Sequence, residues 1–184
     1  MRRRILWLTL AMFVLTSGVT ALMLLRPDLH LAEALERDPR MLQGEGWRFG
    51  TAWFVLTDGW MQILVNSLGL LIYGGLVERI AGPLWWLIAY VGAGLVGEAA
   101  GIFWQPVGGG NSVAICGLIG LFSVWQGFSQ KMAGPPRVLA IVVWGGLGLW
   151  LVTQSDIHGA ALVAGFVIGG LYWLISGQRK DAPA

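Results

Sequence analysis

Gly108-Gly109-Gly110-Asn111-Ser112-Val113-Ala114-Ile115-Cys116-Gly117-Leu118 is a glycine-rich turn that delivers a serine to the start of an apolar segment. Two readings follow from these residues. In the plainer one Ser112 caps the helix, its hydroxyl accepting from the first free N–H groups. In the sharper one the glycines let the backbone dip into a membrane-embedded protein, so that Ser112 and the N–H groups beside it face a common cavity. A nucleophile beside oxyanion donors is half of a hydrolase. The missing half is a base, and His30 and His158 are the two histidines available.

The surroundings of this turn are those of a membrane protein. Of 184 residues, 56% are apolar and 12% charged, well outside the ordinary soluble range. The net charge of +2 is spread over ends and turns, which suits a membrane surface and gives no support to nucleic-acid binding. Cys116 is the single cysteine, so an internal disulfide is excluded and the residue reads as small core packing. A lone His30 in a polar loop makes no metal site, and neither a metal nor a cofactor is expected.

Outward from the turn, six spans are expected, at about 5–25, 60–77, 83–104, 112–128, 138–152 and 157–175, in one membrane domain over 1–184. The first follows the basic head Met1–Arg4. A basic head before an apolar run also describes a signal peptide, with Val19-Thr20-Ala21 as a tolerable cleavage site, although the run is long for one. Residues 26–50 form a polar loop whose leucines and aromatics imply short interfacial helices, anchored at headgroup level by Trp47-Arg48.

Two spans carry polar residues that need an explanation, and a third carries a ridge of small ones. Gln62 and Asn66 lie four apart on one helix face, either cross-linking spans or lining a cavity as donors. Glu98 is an intramembrane carboxylate, which must be protonated, paired or exposed to water. Ala161, Gly165 and Gly169 recur every four residues in the last span, a small-residue ridge suited to close helix packing. Ser155 or Asp156 caps that span. The breaker Gly134-Pro135-Pro136 separates the fourth span from the fifth.

With six spans, Arg2, Arg3, Arg4, Arg79, Lys131, Arg137, Arg179 and Lys180 fall on one side and Arg26, Arg37, Arg40 and Arg48 on the other. The first side is expected to be cytoplasmic, with both termini inside. Ser112 and His158 then begin their spans from the same outer side at similar depth, so that base and nucleophile can meet.

The order of these pieces resembles the rhomboid family of intramembrane serine proteases, from Trp47 to Gly169. Trp47-Arg48 is similar to the family's first-loop pair, Gly110-Asn111-Ser112 with Gly117 to its serine motif, and His158 with Gly165 and Gly169 to its last-span histidine and glycine ridge. The resemblance implies an all-α, six-transmembrane-helix bundle of the bacterial inner membrane that cuts membrane-anchored substrates in or near a transmembrane segment. It makes Ser112 the nucleophile, His158 the general base of a dyad and Asn66 an oxyanion donor, and it leaves Asp156 a turn residue.

One departure stands out. Where the family usually carries histidine, this chain has Gln62, a neutral amide that could still donate to the oxyanion. That change motivates the competing expectation of an inactive relative that binds or escorts membrane clients. A transporter is the third and weakest reading, resting on Glu98 alone, and no repeated pair of interrupted spans supports it. Substrate identity, oligomeric state and the place of lateral access are not legible at this level.

Overall fold

The computed structural model describes residues 6–129 and 136–176. Helix α1 spans Trp7–Leu25, α2 Leu31–Leu35 and α3 Arg48–Thr51. The long helices follow: α4 at Gly59–Ile80, α5 at Pro83–Trp104, α6 at Ser112–Phe128, α7 at Pro136–Thr153 and α8 at Ile157–Ser176. The described residues hold no β-strand beyond a single bridge, Arg37 with Gly108. Four helices, α1, α4, α5 and α8, are long and apolar enough to cross a membrane. Helix α6 and the apolar part of α7, Val138–Thr153, are shorter than that length. The basic head, Lys131, Gly134-Pro135 and the tail with Arg179 and Lys180 lie outside the described residues.

The distribution of polarity is that of a protein dissolved in lipid. On α1 the buried residues are Thr9, Thr16 and Thr20, while Leu10, Val14, Leu22 and Leu25 are exposed. Apolar side chains can face acyl chains without cost, so the hydroxyls turn to the protein interior. Glu78 uses its carboxylate at the start of this helix. It accepts from the Leu8 and Thr9 backbone N–H groups, each at 3.0 Å, and from the Thr9 hydroxyl at 2.7 Å. These N–H groups have no acceptor within their own helix, and a negative charge complements that end of its dipole.

Helix α6 sits at the centre, with ten residues from Val113 to Val124 buried. Glycine permits its neighbours to approach to backbone contact. A Cβ on Gly117 would lie 2.2 Å from the Ala89 carbonyl oxygen of α5, and one on Gly120 would lie 2.6 Å from the Gly165 carbonyl carbon of α8. The ridge on α8 answers from its side: a Cβ on Gly165 would come within 2.6 Å of the Gly117 oxygen, and one on Gly169 within 2.9 Å of Leu121 Cα. The α6–α8 seam is therefore set by main chain against main chain. Gly165→Val should destabilise the protein by about 1–3 kcal/mol through overpacking. Gly170→Ala, where a Cβ meets nothing within 4 Å, should leave the midpoint of thermal unfolding in detergent unchanged.

The segment joining α1 to α4 folds as short helical pieces, as its leucine spacing implies, and is held by two buried arginines. Arg48 donates to the Glu33 and Glu36 carbonyls at 3.0 and 2.8 Å and pairs with Glu45 at 2.6 Å. It thus points into the loop, whereas Trp47 beside it is 55% exposed. The expected headgroup anchor is therefore left to the tryptophan. Nearby, Arg40 donates to Asp38 through its side chain and its backbone N–H, and this holds the Asp38 carboxyl below the usual carboxylate range. Its contribution to the loop is present at neutral pH and fades only as pH falls through that lowered value.

The second loop arginine is Arg37. It pairs with Glu98 of α5 at 2.7 Å, donates from Nε to the Gln105 carbonyl at 2.7 Å, and exchanges backbone hydrogen bonds with Gly108. Glu98 also accepts from Trp53 Nε1 at 3.2 Å and is fully buried. Of the three states open to an intramembrane carboxylate, this one is paired.

Candidate functional site

Helix α6 begins one residue earlier than a serine cap would require. Asn111 occupies the cap position, and Ser112 is the first helical residue. Its hydroxyl is thereby released from capping. Ser112 Oγ lies 2.8 Å from Nε2 of His158, the second residue of α8. The two side chains are 46 residues apart in sequence and meet because α6 and α8 start at the same end of a seam with no side chains to hold it open.

The turn before Ser112 is shaped by what presses on it. Gly110 has φ +126°, a left-handed conformation that favours glycine. A Cβ on Gly109 would sit 2.6 Å from the Val55 carbonyl oxygen, and the Gly110 N–H donates to Ala52 at 2.8 Å. The turn lies against residues 52–55. Positions 112–114 have no acceptor within the helix by virtue of their place in it.

Both amides of α4 face this turn. A Cβ on Gly110 would come within 2.6 Å of Gln62 Nε2 and 3.5 Å of Asn66 Nδ2. Their hydrogen bonding differs. Gln62 Nε2 donates to the Gly109 carbonyl at 2.9 Å and to Asp58 Oδ2 at 3.1 Å, while its Oε1 accepts from the Asp58 N–H at 3.0 Å. An amide nitrogen has two protons, and both are used. Gln62 therefore fastens the glycine turn to the start of α4 and has no proton left for an oxyanion. Asn66 is buried, and its Nδ2 has no hydrogen-bond partner among the described residues. Gln62→Ala should lower stability by about 1–3 kcal/mol, because the Gly109 carbonyl and Asp58 lose their partner. The fall is read as a shifted thermal midpoint.

Ser112 and His158 open onto a cavity of about 290 Å³, lined also by Arg37, Asp58, Gln62, Gln105 and the glycine turn. Neither Glu98 nor Asn66 is among its lining residues: Glu98 reaches it only through Arg37, and Asn66 lies beside Asn111 in a smaller neighbouring pocket. The lining is mainly polar, which suits water. Among the described residues, no group of three or more histidine, cysteine or acidic side chains could hold a metal.

Three residues beyond those expected belong to this neighbourhood. Asp156 Oδ1 accepts from the His158 N–H at 2.8 Å and lies 2.7 Å from His158 Nδ1. Its placement directly before the last span was the available signal. Asp58 was signalled by its spacing of four from Gln62 on the same helical turn. Arg37 had no local signal, since its partners Glu98 and Gln105 are more than 60 residues away.

Comparison with known proteins places the chain in a family. The family model for the rhomboid domain matches residues 43–179. YdcA of Bacillus subtilis (strain 168), whose name assigns it to the rhomboid proteases, is 27% identical over 142 residues, covering 75% of this chain and 71% of YdcA. The rhomboid protease GluP of the same organism is 31% identical over 135 residues, covering 71% of this chain and 26% of GluP. With a helical bundle, a serine and a histidine in contact, and a domain match across most of its length, this chain belongs to the rhomboid family.

Proposed function

We propose that the protein is an intramembrane serine endopeptidase in which Ser112 is the nucleophile and His158 the general base. The observation that carries this reading is the 2.8 Å approach of Ser112 Oγ to His158 Nε2 at the edge of a polar cavity inside an apolar bundle. Neutral imidazole accepts the serine proton as Oγ attacks the scissile carbonyl carbon. The tetrahedral oxyanion is met by the Ser112 backbone N–H and by Asn66 Nδ2, the one α4 amide with protons to spare. Collapse breaks the C–N bond, and His158 returns its proton to the leaving amine. Water in the cavity then gives a proton to His158 while attacking the acyl carbon, and Ser112 is regenerated with release of a carboxylic acid.

The substrates are membrane-anchored proteins. A transmembrane helix shields its carbonyls with its own hydrogen bonds, so a substrate must unwind before Ser112 can reach one, and small or helix-breaking residues near the cut favour that. The site end faces outward and both termini are cytoplasmic. Supporting this, eight of the twelve lysines and arginines fall on the terminal side of a six-span arrangement and four, Arg26, Arg37, Arg40 and Arg48, on the other.

The test is reconstitution of wild type and Ser112→Ala into proteoliposomes with a model single-span substrate, the products identified by mass. New termini in or near the substrate's span with wild type alone are expected. Equal product from both would remove Ser112 as nucleophile, and stable substrate binding without product would favour the client-binding reading.

A further inference from the structure

We infer that Asp156 is a positioning residue for His158, so that the site works as a line of three contacts, Ser112 to His158 to Asp156. This deepens the protease reading and rests on it. The plain account of Asp156 is a helix cap, because its Oδ1 accepts the His158 N–H at 2.8 Å. A cap alone, however, does not require the same oxygen to lie 2.7 Å from the ring nitrogen that points away from Ser112. The backbone holds it there from both sides. Ser155 turns the chain with φ +54°, the Asp156 N–H donates to Leu151 at 3.0 Å, and the Asp156 carbonyl accepts from Gly159 at 3.0 Å. Gly159 in turn lies so close to the end of α7 that a Cβ would be 2.5 Å from the Val152 nitrogen. The carboxylate is fixed before any substrate arrives.

The chemistry of a carboxylate decides what this contact does. It can only accept, so the ring proton resides on Nδ1 and Nε2 is left bare. A bare Nε2 is what the Ser112 hydroxyl needs as acceptor at 2.8 Å. In the other tautomer Nε2 carries the proton and cannot take one from serine. When proton transfer makes an imidazolium, its new positive charge also lies against Asp156 and not against lipid. The other charged groups of this neighbourhood are Arg37 and Asp58 on the cavity wall and Glu98 behind Arg37; of these Glu98 interacts with His158 through space, while Asp156 alone hydrogen-bonds the ring on the side away from Ser112.

The chain has two histidines, which makes the tautomer directly readable. In a His30→Gln background, nitrogen-15 imidazole NMR of the protein in micelles should give a protonated Nδ1 and a bare Nε2, with the Nδ1 proton far downfield. Asp156→Ser keeps a capping hydroxyl but is too short to serve Nδ1. It should mix the tautomers, lose the downfield proton and lower kcat by about 100-fold or more, with KM and thermal midpoint unchanged. An unaltered tautomer and kcat in folded Asp156→Ser overturns the inference. Should that variant fail to fold, Asp156→Asn decides, since it retains an acceptor and loses the charge. A fall in kcat of about tenfold or more supports the role, and an unchanged kcat overturns it. Failure of the protease reading shows elsewhere, as cleavage that survives Ser112→Ala, and leaves the tautomer measurement standing.

Discussion

Ser112→Ala and His158→Ala should each lower the turnover of a membrane substrate by about 10,000-fold or more, and the double variant should be no slower than either. The non-additivity follows from the shared proton. Without His158 the hydroxyl at 2.8 Å has lost its acceptor, so removing it as well takes away nothing further. Without Ser112 there is nothing for the base to activate. Substrate binding should survive in all three variants, because neither side chain supports the seam between α6 and α8. That seam is made by Gly117, Gly120, Gly165 and Gly169. Initial rates in proteoliposomes, with folding checked by thermal midpoint, measure the effect, and additive losses would argue for two independent functions.

The second large effect concerns a buried pair, Arg37 on the cavity wall and Glu98 behind it. Glu98→Ala should destabilise the protein by about 3–5 kcal/mol, since it leaves the Arg37 guanidinium buried without its counter-charge. Arg37 also bonds to Gln105 and Gly108, so the variant should loosen the loop and the glycine turn together. Cleavage should then fall through displacement of the turn. Removing both charges with apolar residues of similar volume, Arg37→Met with Glu98→Leu, should recover much of the stability, because the desolvation cost of the ions disappears with them. Thermal unfolding of wild type, Glu98→Ala and the double variant in one detergent checks this. A double variant as unstable as Glu98→Ala would show that the bonds of Arg37 to the backbone matter more than the charge pair.

Much of the framework could be read from local pattern. Apolar runs mark the helices, Gly165 and Gly169 mark the close seam, and the two turns that open the fourth and sixth apolar runs on one side imply that Ser112 and His158 can meet. What escaped was decided by side-chain direction and by distant partners. Gln62 looked like a donor to the reaction because an amide on a cavity face can be one. Only the position of Asp58 and of the Gly109 carbonyl shows that its protons are already used. Glu98 could be recognised as needing a partner, but its partner lies 61 residues away in a loop with several arginines to choose from. Asp156 was correctly a turn residue and capped the last span, yet its second contact depends on the left-handed Ser155 and the tight packing of Gly159 on α7, which no periodicity encodes. The span count is harder still from composition, because α6 and the apolar part of α7 are short for a bilayer and read as spans only in company with their neighbours.

The central claim is that a hydroxyl and an imidazole from two helices form one reactive pair. A fluorophosphonate bearing a small reporter tests it most directly, since it phosphonylates, with loss of fluoride, a serine whose proton is being drawn away. Mapping the adduct by mass spectrometry should find it on Ser112 in the folded wild type and nowhere in folded His158→Ala. An adduct on another residue, or Ser112 labelled equally well without His158, would contradict the account.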